Sequence, residues 1–194
     1  LWAIAGIGLR ENLRYAFVGL PCHVHALRKL QKRGAALNVR YVIGLFCNHL
    51  PDFRYTQFLV ERLSDREHEV RQIVYRGDGW PGETVLQMAD GNCRHGAFTT
   101  LWAEANAGSL KYALDPCRRC PLLFAAAADV SLGDPWGEDS CGAGLNAGIA
   151  FSKTGWQLVL AAERDGALVV REATATGVLR TQQQLLERKR KTCR

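Results

Sequence analysis

The chain has 194 residues, 47% of them hydrophobic and 23% charged, with a formal net charge of +6. These are the proportions of an ordinary soluble globular protein, long enough for one sizeable core without disulfide staples. No apolar run approaches the roughly 18 residues of a membrane span, so none is expected.

The chain opens on Leu1 without an initiator methionine, which suggests a fragment whose first part lies elsewhere. "YAFVG" at 15–19 is short, apolar and turn-bounded, as a buried parallel strand should be. Residues 22–33 then place Val24, Leu27 and Leu30 at helical spacing among basic residues, with Gly34 closing the helix. "VRYVIGLF" at 39–46 predicts a second strand, and Pro51-Asp52 leads into an amphipathic helix from Phe53 to Leu63. Strand, helix, strand, helix in this order implies a parallel sheet with helical crossovers. Residues 69–90 break the rhythm: two alternating strands joined across Gly77-Asp78-Gly79 and Pro81-Gly82 predict an antiparallel hairpin insertion. A short helix near Thr99–Ala107 precedes "LDPCRRCP", and "ADVSLGDPW" is a further strand ending in a turn. A Gly-rich loop leads to a strand at Ile149–Phe151, Thr154 is expected to cap a helix to about Arg164, and "ALVVREA" at 167–173 is expected to be a strand. A polar helix from about Thr181 ends the chain. The expected whole is a single α/β domain over 1–194, mainly a parallel sheet with flanking helices and a hairpin insertion.

Much of the positive charge lies in "LERKRKTCR" at 186–194. No aromatic residue interleaves with it, which argues against nucleic acid, and the run is expected to be a solvated helix end or frayed tail. The seven cysteines are Cys22, Cys47, Cys93, Cys117, Cys120, Cys141 and Cys193. An odd, sparse set is no secreted disulfide framework, and points to metal or redox chemistry in a reducing compartment, the cytoplasm.

Two of these cysteines stand where parallel strands end. Cys22 follows the first strand and Cys47 the second, so both leave the same carboxyl edge, where ligands gather in open α/β sheets. Cys117 and Cys120 form a Cys-x-x-Cys pair that lets one turn present two thiolates to one centre. Four thiolates suit a 4Fe–4S cluster or a tetrahedral zinc, and unrelated buried or redox thiols are a third reading. A structural zinc usually staples a small lobe with two paired knuckles, so the spacing leans toward iron.

"FVGLPCHVHALRKL", "VIGLFCNHLPDF", "IVYRGDGWPG", "CRRCP" and "ADVSLGDPWG" occur in the order found in the beta-subunit family of the coenzyme F420 hydrogenases and dehydrogenases. Over roughly residues 12–172 the chain resembles that family, which is akin to reductases of chlorophyll intermediates. The resemblance implies an iron–sulfur flavoprotein oxidoreductase that passes electrons between a 4Fe–4S cluster, FAD and an organic acceptor such as coenzyme F420. It maps Cys22, Cys47, Cys117 and Cys120 onto the cluster ligands and puts Asp134 near the flavin. An electron-donor subunit or ferredoxin would be the partner. Two departures lie near the presumed cluster: His23 stands where glutamine is common, and "PLLFAAAAD" replaces a polar, acidic segment. The amino-terminal region that contributes to the family's flavin pocket is not in this sequence.

Other candidates are weaker. Trp80, on a Gly-rich turn, would either stack on an isoalloxazine ring or simply pack. His23 and His25 are two apart and so lie on different faces of a helix, which disfavours a joint metal site. His49 is close enough in sequence to Cys47 to reach a cluster, or is an ordinary loop histidine. "CGAGLNAG" at 141–148 precedes a strand instead of opening a helix, which reverses the dinucleotide-loop order and leaves a loop that could lie over the flavin. Cys93, Cys141 and Cys193 are expected to be plain thiols.

Overall fold

The computed structural model describes residues 10, 12–64, 69–106, 110–137 and 145–192. These divide into two compact units. One is formed by the chain up to Asn48 together with residues 121–137 and 146–192; the other is residues 49–120 with Leu145. The second unit is thus an insertion in the sequence of the first.

In the first unit, β1 (Tyr15–Gly19), β2 (Val39–Leu45), β6 (Val130–Gly133) and β7 (Ala147–Ala150) make a sheet in the order β1-β2-β6-β7. β1, β2 and β6 are parallel, and β7 pairs antiparallel on the edge. The expected α/β class with a mainly parallel sheet is what forms. Helix α1 (Pro21–Lys32) makes the β1–β2 crossover. Pro21 fits its first turn, where the missing N–H costs no hydrogen bond, and Gly34 leaves its end at a φ of +80°. The helix turns Val24 and Leu27 onto Val39 and Val42, with Ala125 and Ala128 completing the cluster.

Asp129 organises this unit. It is only 7% exposed, and both carboxylate oxygens are used. Oδ2 accepts from the Val42 N–H at 2.9 Å and from Arg28 Nη2 at 3.2 Å; Oδ1 accepts from Ser152 Oγ at 2.7 Å. One side chain therefore joins β2, α1 and the start of α5 (Lys153–Arg164). Ser152, not the expected Thr154, caps that helix. Its Oγ accepts from the Gly155 N–H at 3.0 Å while donating to Asp129, two bonds that a hydroxyl two residues further on would not reach.

Residues 167–173, expected as a strand, pair with no strand among the described residues. Leu168, Val169 and Val170 run consecutively instead of alternating, so a pleated strand there would have no single buried face, and Val169 is fully exposed. The segment leads instead to α6 (Ala175–Thr181), capped by Thr174, and α7 (Gln183–Thr192).

In the second unit, α2 (Phe53–Leu63) starts at Asp52, which accepts from the Arg54 N–H at 2.9 Å. The expected hairpin is present as β3 (Val70–Gly77) and β4 (Glu83–Met88), and β5 (Cys93–Ala97) extends it to a three-stranded antiparallel sheet. At the β3–β4 turn Gly82 has a φ of +88°, and a Cβ there would lie 2.7 Å from the Gly77 carbonyl oxygen, so the turn requires glycine. Helix α3 (Phe98–Asn106) packs Leu101 and Ala105 against Tyr55 and Leu59 of α2. The short α4 (Asp115–Arg118) follows.

Two expectations follow. Asp129→Ala strands three buried or half-buried donors and should cost about 3–5 kcal/mol in urea unfolding, whereas Asp129→Asn, keeping an acceptor, should cost less than half of that. A loss below about 1 kcal/mol for the alanine variant would refute the linking role. Tyr55, whose buried hydroxyl has no hydrogen-bond partner among the described residues, has its phenol pushed up to about 12 by burial. The folded state then holds this proton more tightly than the unfolded chain, whose tyrosine titrates near 10. The stability linked to it is complete below about pH 10 and is lost as the pH rises toward 12. Tyr55→Phe should remove that contribution and leave neutral-pH stability equal or slightly raised, as measured by unfolding at pH 7 and pH 11.

Candidate functional site

The carboxyl edge of the parallel sheet in the first unit collects the residues of interest. β1 ends at Gly19, and Cys22 is the second residue of α1, exposed at the positive end of the helix dipole. β2 ends at Leu45, and Phe46 continues toward β6 by donating its N–H to the Leu132 carbonyl at 2.7 Å. Cys47, half-buried, then donates its backbone N–H to the Leu123 carbonyl at 2.9 Å. β6 ends at Gly133, and Asp134 follows. A Cβ on Gly133 would lie 2.4 Å from the Phe46 ring, so the loops after β2 and β6 approach closely only with glycine at this position.

The last two helices of the unit hold these loops. Gln182, between α6 and α7 and 2% exposed, donates from Nε2 to the Asp134 carbonyl at 2.6 Å. Arg188 on α7, half-buried, donates from Nη2 to the Asn48 carbonyl at 3.0 Å, one residue beyond Cys47. Burial lowers the guanidinium's pKa, and the nearby Cys47 thiol draws it back up. Lys189 is 5% exposed. The basic run is therefore not the solvated end expected from its composition: two of its cations turn inward and two, Arg190 and Lys191, face solvent. Gln182 and Arg188 were invisible to sequence reasoning because a polar, basic terminal stretch carries no apolar period to mark its buried side. Thr174, three residues before Gly177, is the one local signal that a packed helix starts there.

In the second unit, Cys117 and Cys120 lie half-buried on one turn. The Cys117 N–H donates to the Leu114 carbonyl at 2.8 Å and the Cys120 N–H to the Cys117 carbonyl at 3.3 Å. Pro116 starts this turn, and Arg118 Nη2 steadies it by donating to the Lys111 carbonyl at 2.9 Å. His49 is buried and stacks on Trp102, with ring centroids 4.9 Å apart and planes 18° from parallel. Trp80 has Arg76 over its ring at 4.5 Å, and the same guanidinium lies 4.9 Å from the Phe98 ring and donates Nε to the Pro81 carbonyl at 2.7 Å. One face of Trp80 is thus used in packing.

His23 and His25 are exposed on α1, and Cys93 is an exposed thiol at the start of β5. Cys141 and Cys193 lie outside the described residues, as does most of the Gly-rich loop. The five described cysteines form no disulfide with one another, and each unit carries two of the four expected ligands. Among the described residues, no three His, Cys, Asp or Glu side chains form a ready group for a metal ion. The donor chemistry of these four residues, soft sulfur ligands, nevertheless fits a thiolate-ligated centre. No helix among them is long and apolar enough to cross a membrane.

A mainly parallel sheet with helical crossovers defines an α/β protein, and the comparisons make it more specific. The family model for the C terminus of the coenzyme F420 hydrogenase/dehydrogenase beta subunit matches residues 12–185, and the chain belongs to that family. The resemblance read from the motifs is borne out. Among solved structures, a chain of the xenon-derivatised F420-reducing [NiFe] hydrogenase complex from Methanosarcina barkeri is similar in fold, with a TM-score of 0.56 at 18% identity. The match covers 92% of this chain and 60% of that one, so this chain spans less than two thirds of its length. Comparison with curated proteins gives no match.

Gln182→Leu should show how far the edge loops depend on α6 and α7. It removes the donor to the Asp134 carbonyl in a buried setting and should cost about 1–3 kcal/mol in urea unfolding; a neutral substitution would mean that the bond contributes nothing to stability.

Proposed function

We propose that the protein is an iron–sulfur flavoprotein oxidoreductase of the beta-subunit type, moving electrons between a 4Fe–4S cluster, FAD and an organic acceptor such as coenzyme F420. In this reading Cys22, Cys47, Cys117 and Cys120 supply the four thiolates. The observation that carries it is where these residues fall in the architecture. Cys22 and Cys47 follow adjacent parallel strands at their carboxyl ends, while Cys47 and Cys120 bracket the inserted unit in sequence. Cys120 stands three residues before Leu123, whose carbonyl accepts the Cys47 N–H. Ligands placed at the ends of rigid elements lose little freedom on binding a centre.

Bound there, the cluster would carry electrons singly and the flavin would pair them. The chain's own part is to hold the thiolates, to set the charge around them and to limit water at Cys47, which is already half-buried. Asp134, anchored through its carbonyl by Gln182, is assigned to the flavin side, and Trp80 can offer a flavin ring only the face that Arg76 does not cover. Family membership supports the redox role, and the neighbour's hydrogenase complex supports a donor subunit as partner, with ferredoxin the alternative donor. The five described cysteines, which form no disulfide with one another, suit the reducing cytoplasm proposed for the protein.

The test is iron, sulfide, zinc and flavin content, with a visible spectrum, of the anaerobically purified full-length protein. Iron with sulfide and flavin is expected; zinc alone would refute the reading in favour of a zinc-binding module, and iron without flavin would reduce it to an electron relay. Cys22→Ser should lower iron content and bleach the broad visible absorbance of the cluster, with Cys93→Ser as the unaffected control. Unchanged iron in Cys22→Ser would remove this residue from the ligand set.

A further inference from the structure

We propose that Arg188 is a positioning residue that sets the reduction potential of the centre ligated by Cys47, acting as a fixed positive charge beside that ligand. The inference rests on the cluster reading above and goes beyond it, since Arg188 lies outside the matched residues 12–185.

Two observations meet at this side chain. Arg188 Nη2 donates to the Asn48 carbonyl at 3.0 Å, which fixes the guanidinium on the loop that carries Cys47. The group is half-buried, and no carboxylate pairs with it among the described residues.

A guanidinium withdrawn from water without a carboxylate is costly unless another anion lies near it. Four thiolates give a ligated iron–sulfur cluster a net negative charge, and reduction increases that charge by one electron. A neighbouring cation therefore stabilises the reduced form more than the oxidised form and raises the potential. Arginine suits the task because its charge does not titrate in the working range and its planar fork leaves donors available after one is committed to the Asn48 carbonyl.

The experiment uses the full-length holoprotein and its Arg188→Gln and Arg188→Lys variants, with iron and sulfide content, circular dichroism and a redox titration followed by the paramagnetic signal of the reduced cluster. In Arg188→Gln the ratio of reduced to oxidised cluster at a given potential should fall at least about tenfold, a shift of about 59 mV for one electron, while Arg188→Lys stays close to the parent. Loss of iron from a folded Arg188→Gln protein, with iron and potential kept in Arg188→Lys, would equally support a required charge. An unchanged potential in Arg188→Gln, or equal shifts in both variants, would overturn the proposal, the second outcome assigning the effect to the Asn48 hydrogen bond. Failure of the underlying reading is recognised separately, because the parent protein would then show neither iron nor signal before any variant is compared.

Discussion

The buried carboxylate of Asp129 is the constraint on which the first unit depends. A charge so deeply enclosed is tolerable only when its lone pairs are met, and here Val42, Arg28 and Ser152 meet them from three different elements. The consequence is geometric. Val42 fixes the carboxylate to β2, while the Asp129 main chain pairs with both neighbours, its N–H donating to the Val42 carbonyl and its carbonyl accepting from Phe151. The β2–β6 register and the start of α5 are thus set by one residue. Gly155 shows how tight this is: a Cβ there would lie 1.9 Å from the Asp129 carbonyl oxygen, so the first turn of α5 can approach the strand only without a side chain. Gly44 does the same on the other side, where a Cβ would be 2.1 Å from that of Ala125.

Fixing that register fixes where the strands end, and the candidate ligands stand just past those ends. Parallel neighbours deliver Cys22 and Cys47 past the same edge, and β6 delivers Asp134 there too. Strand ends are loops, and loops hold their shape only when their backbone groups find partners. The Leu123 carbonyl, Gln182 and Arg188 provide those partners, so the edge loops are held both by the segment that leads into β6 and by the terminal helices.

The alternation of strand and helix, the two strand-end cysteines and the hairpin at 69–90 were all legible because each rests on a local signal: hydrophobic period, glycine punctuation or a strand boundary. The failures have a common cause as well. Thr154 and Ser152 are both capping residues two positions apart, and what selects Ser152 is its second bond, to Asp129, which no local pattern contains. The "ALVVREA" run has the β-branched content of a strand, but it lacks alternation and has no paired edge, and propensity without a partner does not make a sheet. Arg188 and Lys189 look solvated in a run of like charge, and only the return of α7 toward the Cys47 loop turns them inward.

That last point bears on how a redox site would be assembled here. Candidate ligand positions are marked in the chain by the residue type itself, because thiolate is the donor such a centre needs. The groups that would tune a centre are ordinary arginines, glutamines and asparagines whose meaning depends on burial. A surface guanidinium is screened by water and salt and shifts a neighbouring charge little, whereas the same group withdrawn beside Cys47 acts through a lower effective dielectric. The helix that carries Arg188 has few strong apolar positions and is held by Gln182 and by its own inward cations. The polar content of the terminal segment is therefore what docks it, and the features that made it look like a tail make it suited to setting the charge around the Cys47 loop.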